Sequence, residues 1–286
     1  MTSKNASDPL QLELYNKFAQ DTARRMTVAY STSFSSASSL FDKSIRQDIY
    51  NIYGLVRLAD EIVDTYSGPN QIEMLDRLES DTYASLQTGY STNLIVQAFI
   101  ITAQKFNIEA DLIAPFFESM RTDSRDDYKP SQYQQYIYGS AEVVGLMCLS
   151  VFVDGQAERF DKLKPGACAL GAAFQKVNFL RDMAADFAQL GRYYFPTGSF
   201  DKFDELCKAQ IVDDIRQDFA VAKPAIMALP KTARPAVSLA FRYYLELLKK
   251  LHATPAEVIK QQRVRVGNIN KLRLLATVKA SHRFKS

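Results

Sequence analysis

This sequence predicts an all-α protein folded as a single-domain helical bundle, on three observations. Apolar residues recur at helical spacing along most of the chain. Alternating strand patterns and Asn-Gly or Asp-Gly hairpin turns do not stand out. The helix breakers fall in short separators, too brief to tether independent domains.

Leu10, Leu14 and Phe18 open the periodic pattern, and Ile45, Ile49, Ile52 and Val56 continue it. Further helical stretches are predicted over 71–87, 92–106, 109–122, 131–153, 166–190, 203–227 and 231–252. Gly68-Pro69, Gly89, Pro130, Pro165, Pro196 with Gly198, Pro230 and Pro255 are the expected breaks. Residues 1–286 form one domain in this reading, with residues 1–9 flexible and 258–286 a basic C-terminal helix. That last stretch interleaves Lys260, Arg263, Arg265, Lys271, Arg273, Lys279, Arg283 and Lys285 with apolar residues and has no acid after Glu257. A solvated helix on the bundle, a helix lying on an anionic membrane, and cations facing a bound diphosphate all suit it.

The composition narrows the chemistry. A net charge of +3 over 286 residues gives no sign of nucleic-acid binding. The three cysteines, Cys148, Cys168 and Cys207, are far apart and form no CxxC, and the only histidines are His252 and His282. These numbers argue against a zinc site, a disulfide framework and a histidine-based triad. Reduced thiols suit a cytoplasmic protein. The N-terminus has no apolar signal core. The longest apolar run, Val143 to Val153, is short for a membrane span.

Two acidic stripes carry the candidate chemistry. Asp60 and Asp64 are four apart, so they share one helix face, on an arc with Ile49, Tyr53 and Val56 and bordered by Arg57. Asn178, Asp182 and Asp186 also step by four, with Gln175 on the same stripe. Val177, Leu180, Met183 and Phe187 take the other side of that helix. Either stripe could simply face water. Short carboxylates and amides, rather than Lys and Glu, fit a hard divalent ion better. Facing acidic helices suit an allylic diphosphate: metal ions bridge carboxylate to diphosphate and stabilise its departure. The carbocation left behind needs a dry, aromatic-rich cavity. Phe34, Tyr53, Tyr136, Tyr138, Phe174, Phe179, Tyr193, Tyr194 and Tyr244 are available for one.

Five segments in order resemble the squalene and phytoene synthase family, nearest in wording to bacterial phytoene synthases. They are Tyr30-Ser31-Thr32-Ser33-Phe34, the stretch from Tyr53 through Arg57 to Asp64, Tyr138 through Gly145, Gln175 through Asp186, and Gly191-Arg192-Tyr193-Tyr194-Phe195-Pro196. The resemblance implies the class I isoprenoid synthase type of bundle with a central active-site cavity. It implies a prenyltransferase that couples two geranylgeranyl diphosphates head to head, through a cyclopropyl intermediate, to phytoene. Asp60 and Asp64 would hold Mg2+, or Mn2+, on one wall. Asn178, Asp182 and Asp186 would hold it on the other. Tyr30, Ser31, Thr32, Ser33, Tyr53, Arg57, Gln175, Arg181 and Tyr244 would contact substrate, and Tyr138 would stand near the carbocation.

Phytoene synthases need no nicotinamide, so none is expected. Peripheral contact with a membrane suits a hydrocarbon product. Two positions depart from the family pattern: Ala185 replaces an acid, and Glu142 replaces a small residue. The competing readings are a squalene or dehydrosqualene synthase using farnesyl diphosphate, a terpene cyclase that ionises one diphosphate, and a non-catalytic relative.

Overall fold

A computed structural model describes residues 9–66, 68–124, 129–196 and 198–265, and among these there are helices and no strands. In chain order the helices are α1 (Pro9–Tyr30), α2 (Thr32–Ser38), α3 (Lys43–Asp60), α4 (Gln71–Thr88), α5 (Leu94–Phe106), α6 (Ala110–Ser124), α7 (Tyr133–Ile137), α8 (Val143–Phe152), α9 (Ala157–Leu190), α10 (Glu205–Ala228), α11 (Arg234–Ala253) and α12 (Ala256–Ile259).

Local chemistry sets the ends. Asp42 accepts from the Ser44 amide at the start of α3, Asn93 from the Ile95 amide at α5, and Asp204 from the Cys207 amide at α10. Gly89 and Gly191 close α4 and α9 in the left-handed conformation, with φ of 75° and 64°.

The predicted stretches match these helices with two kinds of exception. Pro165 was expected to break the chain but lies inside α9. An interior proline costs about 3 kcal/mol, and packing offsets it. Gly166 lies so close to Ala225 of α10 that a Cβ there would collide with it, and Leu163 is buried in the core. The second exception is a change of winding. Glu61–Thr65 continues α3 as one π-helical turn, and Tyr138–Glu142 joins α7 to α8 as another. Such turns insert an extra residue into a helix and are frequent at functional sites.

The expected ends of the chain fare differently. Residues 1–8 of the N-terminal tail lie outside the described residues, and Pro9 already begins α1. Of the basic helix expected over 258–286, the described part has Val258 and Ile259 in the short α12 and residues 260–265 outside helix. Residues 266–286, with Lys271, Arg273, Lys279, Arg283 and Lys285 among them, lie outside the described residues.

Two apolar clusters fill the bundle. One gathers α3, α4, α5, α6, α8 and the ends of α9 and α10 around Phe99, Phe116 and Phe117. The other gathers α7, the middle of α9, α10 and α11 around Val177, Leu180, Phe203 and Leu247. With its two approach turns included, Tyr133–Phe152 is long and apolar enough to cross a bilayer by length and composition. Val143, Leu146 and Met147 are nevertheless buried inside the bundle, where α8 packs on α3, α6 and α9.

Candidate active site

The first acidic wall is the C-terminal end of α3 and its π-turn. Arg57 pairs with Glu61 and approaches Asp60 at 4.0 Å. Its guanidinium also lies 4.5 Å from the centre of the Tyr30 ring. Asp60 keeps 32% of its side-chain exposure. Burial and the nearby Asp64 carboxylate push its pKa up to about 7. Burial also raises Asp64, against the pull of Arg57 and Arg192. This wall therefore carries more negative charge than its arginine offsets. Ser31 caps α2 by accepting from the Phe34 amide at 3.1 Å, and Phe34 stacks on Tyr53 at 4.8 Å. Thr32 and Ser33 begin α2 beside them. The predicted cluster of Tyr30, Ser31, Tyr53, Arg57, Asp60 and Asp64 is thus brought together.

The second wall is α9. Asp182 is held by two arginines: its neighbour Arg181 at 2.9 Å, and Arg263 at 2.6 Å. Burial and the nearby Asp182 carboxylate raise Asp186 to about 6. Asn178 accepts from the Tyr244 hydroxyl at 3.3 Å, and the Tyr244 ring stacks on Phe174 at 4.0 Å. Gln175 donates to Ser140 on the second π-turn at 3.3 Å. That turn sits close to α9 because Gly171 makes room: a Cβ there would stand 2.9 Å from the Ala141 carbonyl oxygen. Val177, Leu180 and Met183 are buried on the other side as the periodicity predicts, and Phe187 instead stacks on Phe200 near the surface.

A cavity of about 1160 Å³, its open mouth included, opens among α2, α3, the second π-turn, α8, α9, α10 and α11; Asp60, Asp64, Asn178, Asp182 and Asp186 are not among its lining residues. Its lining includes Val56, Ser140, Gln175, Phe41, Phe152 and Leu229. Apart from Ser140 and Gln175, the lining side chains are apolar. Ile49 and Val56, on the arc predicted to face the site, are part of it. Of the nine candidate aromatics only Phe34 and Phe174 line it. Tyr136, Phe179 and Tyr194 instead form a buried stack with ring centres 4.1 to 5.8 Å apart. Tyr138 is half-buried on the second π-turn, whose cavity-lining residues are Ser140 and Ala141. Glu142 interacts with Cys168, Asp218 and Lys176 and is absent from the lining, so this departure from the family pattern leaves the cavity surface unchanged.

The donor set suits a hard cation. Each wall offers carboxylate oxygens, and the raised Asp60 and Asp186 show negative charge crowded into a partly dry site. Among the described residues, no three acidic, His or Cys side chains converge to hold an ion by themselves. The oxygen donors on the two walls are of the kind a hard divalent ion takes.

Sequence reasoning missed three residues here. Asp123, at the end of α6, accepts from the Tyr136 hydroxyl and from Arg192 at 2.8 Å each. No periodic partner marks it in the sequence. Arg192 stood in a matched segment without a role. Arg263 was counted among the terminal cations, and only the fold brings it back to Asp182.

The squalene/phytoene synthase family profile matches residues 27–270. A 15-cis-phytoene synthase from Paracoccus is 28% identical over 268 residues, covering 86% of each chain. A 4,4'-diapophytoene synthase from Staphylococcus haemolyticus is 24% identical, covering 66% of this chain and 65% of its own. Among solved structures, a dehydrosqualene synthase superposes with a TM-score of 0.79 at 20% identity, covering 96% of this chain and 99% of its own. A squalene synthase from Alicyclobacillus acidocaldarius superposes at 0.73 and 21% identity, covering 87% and 97%. These structural matches agree with the all-α bundle of the class I isoprenoid synthase type.

Proposed function

The chain belongs to the squalene/phytoene synthase family, and from that premise we propose that it joins two geranylgeranyl diphosphates head to head to form phytoene, releasing diphosphate. The observation that carries this reading is that α3 and α9, the two helices with acidic faces, both contribute to one cavity, through Val56 and Gln175, whose lining is apolar but for Ser140 and Gln175. Magnesium, or manganese in its place, would be held by the carboxylates of the two walls and, when bound, would supply the charge that neutralises the departing diphosphate.

The chain's own residues do the rest. Asp60 and Asp64 on one wall, and Asn178, Asp182 and Asp186 on the other, present oxygen donors toward the ions. Arg57 and Arg181 place positive charge where diphosphate oxygens would lie, with Tyr30, Ser31 to Ser33, Tyr53, Gln175 and Tyr244 around them. Phe34 and Phe174 line the apolar cavity, whose helices would exclude water from the carbocation. Tyr138, on the turn that carries Ser140, is the proposed neighbour of that cation. No reductant takes part, so no nicotinamide is required. The product would leave into lipid, and the protein works in the cytoplasm, at the inner membrane face when it delivers product.

A shorter substrate is the second reading. Phe41 and Phe152, both in the cavity lining, stack at 5.4 Å, and bulk there favours farnesyl diphosphate. Each methylene buried in a fitting apolar site adds about 0.8 kcal/mol, so an extra five-carbon unit can decide the preference. The test is to incubate the purified protein with magnesium and both labelled diphosphates in competition, then analyse the lipid extract. Phytoene as the main product supports the proposal. A higher kcat/KM for farnesyl diphosphate, or product only with added nicotinamide, overturns it.

A further inference from the structure

We propose that Asp123 is a positioning residue for the metal-binding walls: it holds the Arg192 guanidinium between them, so that this arginine does not pair with Asp64 or Asp186 in place of a metal ion. The inference rests on the reading of those walls as metal-holding.

The geometry is specific. Asp123 retains only 13% of its side-chain exposure and Arg192 8%. One guanidinium nitrogen of Arg192 donates to the Asp123 carboxylate at 2.8 Å, and the other to the Asp123 backbone carbonyl. The same carboxylate accepts the Tyr136 hydroxyl at 2.8 and 2.7 Å. Tyr136 is fixed in turn by stacking on Phe179 of α9 and on Tyr194. Four pieces of chain therefore meet at this ion pair: α6, α7, α9 and the segment after α9.

The backbone of Arg192 is fixed as well. It follows the left-handed Gly191, and its amide donates to the Asp186 carbonyl at 3.3 Å. The arginine is thus anchored one turn beyond the last aspartate of the second wall. Its charge reaches both walls: it acts on Asp64 of the first and on Asp186 of the second. Asp123 lies within electrostatic reach of Asp60 and Asp64.

The chemical consequence follows from charge balance. A guanidinium close to two carboxylates competes with a divalent ion for them, and the competition is strong where water is scarce. Asp123 answers it with a carboxylate and a carbonyl that take both ends of the fork. Without that negative charge, Arg192 turns toward Asp64 or Asp186. A merely structural ion pair predicts something else: both partners' variants would lose stability, and metal affinity would follow stability.

The test is Mn2+ binding by the full-length protein in the presence of inorganic pyrophosphate, followed by calorimetry, with thermal melting in parallel. Asp123→Asn keeps the shape but replaces the charge-assisted bond to Arg192 with a weaker neutral one, and should raise the Mn2+ dissociation constant about tenfold. Adding Arg192→Gln to that variant should restore affinity to near wild type, a strong departure from additivity. Tyr136→Phe, which leaves the ion pair's charges intact, should change affinity less than about threefold. In turnover, Asp123→Asn should raise the metal concentration for half-maximal rate more than it lowers kcat. Unchanged Mn2+ affinity in Asp123→Asn overturns the inference, and so does a double variant weaker than the single one. Absence of saturable Mn2+ binding in the wild-type protein overturns the metal-holding reading itself, and this inference with it.

Discussion

The two acidic walls have similar sequences and different electrostatic states. At the end of α3, Asp60 and, on the π-turn that follows, Asp64 have one arginine of that helix beside them, Arg57, which Glu61 also engages. Burial first, and the Asp64 carboxylate beside it second, raise the Asp60 pKa to about 7. On α9, Asp182 is gripped by Arg181 and Arg263 from two parts of the chain. One wall is short of positive charge before any ion arrives, and the other brings its own. The same carboxylate chemistry therefore has opposite consequences for the metal-free fold, and that contrast can be tested.

The largest effect should be on turnover, where the walls behave alike. Asp60→Asn and Asp182→Asn should each lower kcat at least about a hundredfold, near 3 kcal/mol of transition-state stabilisation. Near wild-type rates in either variant would remove that wall from the site.

Metal-free stability should separate them. Asp182→Asn leaves Arg181 and Arg263 without their charged partner and should destabilise by about 1–2 kcal/mol. Asp60→Asn relieves like-charge repulsion in a partly buried pair and should be neutral or stabilising by about 1 kcal/mol, discounted for exposure. Chemical denaturation in the presence of chelator reads both. Equal destabilisation would erase the difference between the walls.

The pH dependence sharpens the comparison. A carboxyl whose folded pKa is raised binds more protons folded than unfolded. Its favourable contribution is complete below the unfolded value of 3.8 and is lost as pH rises through the folded one. For Asp60 that window runs from 3.8 to about 7, and for Asp186 from 3.8 to about 6. The chelated protein should therefore lose stability as pH rises through this range. Asp60→Asn should flatten the decline up to the higher limit and Asp186→Asn only up to the lower. Melting temperatures across a pH series would show it, and a slope unchanged in both variants would count against the crowded-charge account.

The smallest effect is expected at Arg263. It is 46% exposed, and Arg181 remains to pair with Asp182. Arg263→Ala should cost less than about 1 kcal/mol of metal-free stability. A larger loss in denaturation would mean that the terminal segment, rather than Arg181, holds the second wall.

How much of this was legible follows from the range of each interaction. Asp60 with Asp64, and Asn178 with Asp182 and Asp186, are local pairs at helical spacing, so the sequence pattern alone places each set on one face. The arc carrying Ile49 and Val56 was legible for the same reason, and both residues line the cavity. Pro165 misled because its local cost is offset by α10, distant in sequence. The π-turns at Glu61–Thr65 and Tyr138–Glu142 span five residues each, too few for the sequence pattern to distinguish their winding from that of the α-helix. Asp123 and Arg192 meet 69 positions apart, and Arg263 reaches Asp182 from 81 away. Pairings over such separations are decided by the fold, and one sequence does not display them.

The central claim is that the two walls together serve two diphosphates around one cavity. The most direct test is the stoichiometry of the reaction with geranylgeranyl diphosphate and magnesium, measured as diphosphate released against hydrocarbon formed. The account predicts two diphosphates for each hydrocarbon, with every product molecule containing the carbons of two substrates. One diphosphate per hydrocarbon, with the product retaining the carbon count of a single substrate, would contradict it.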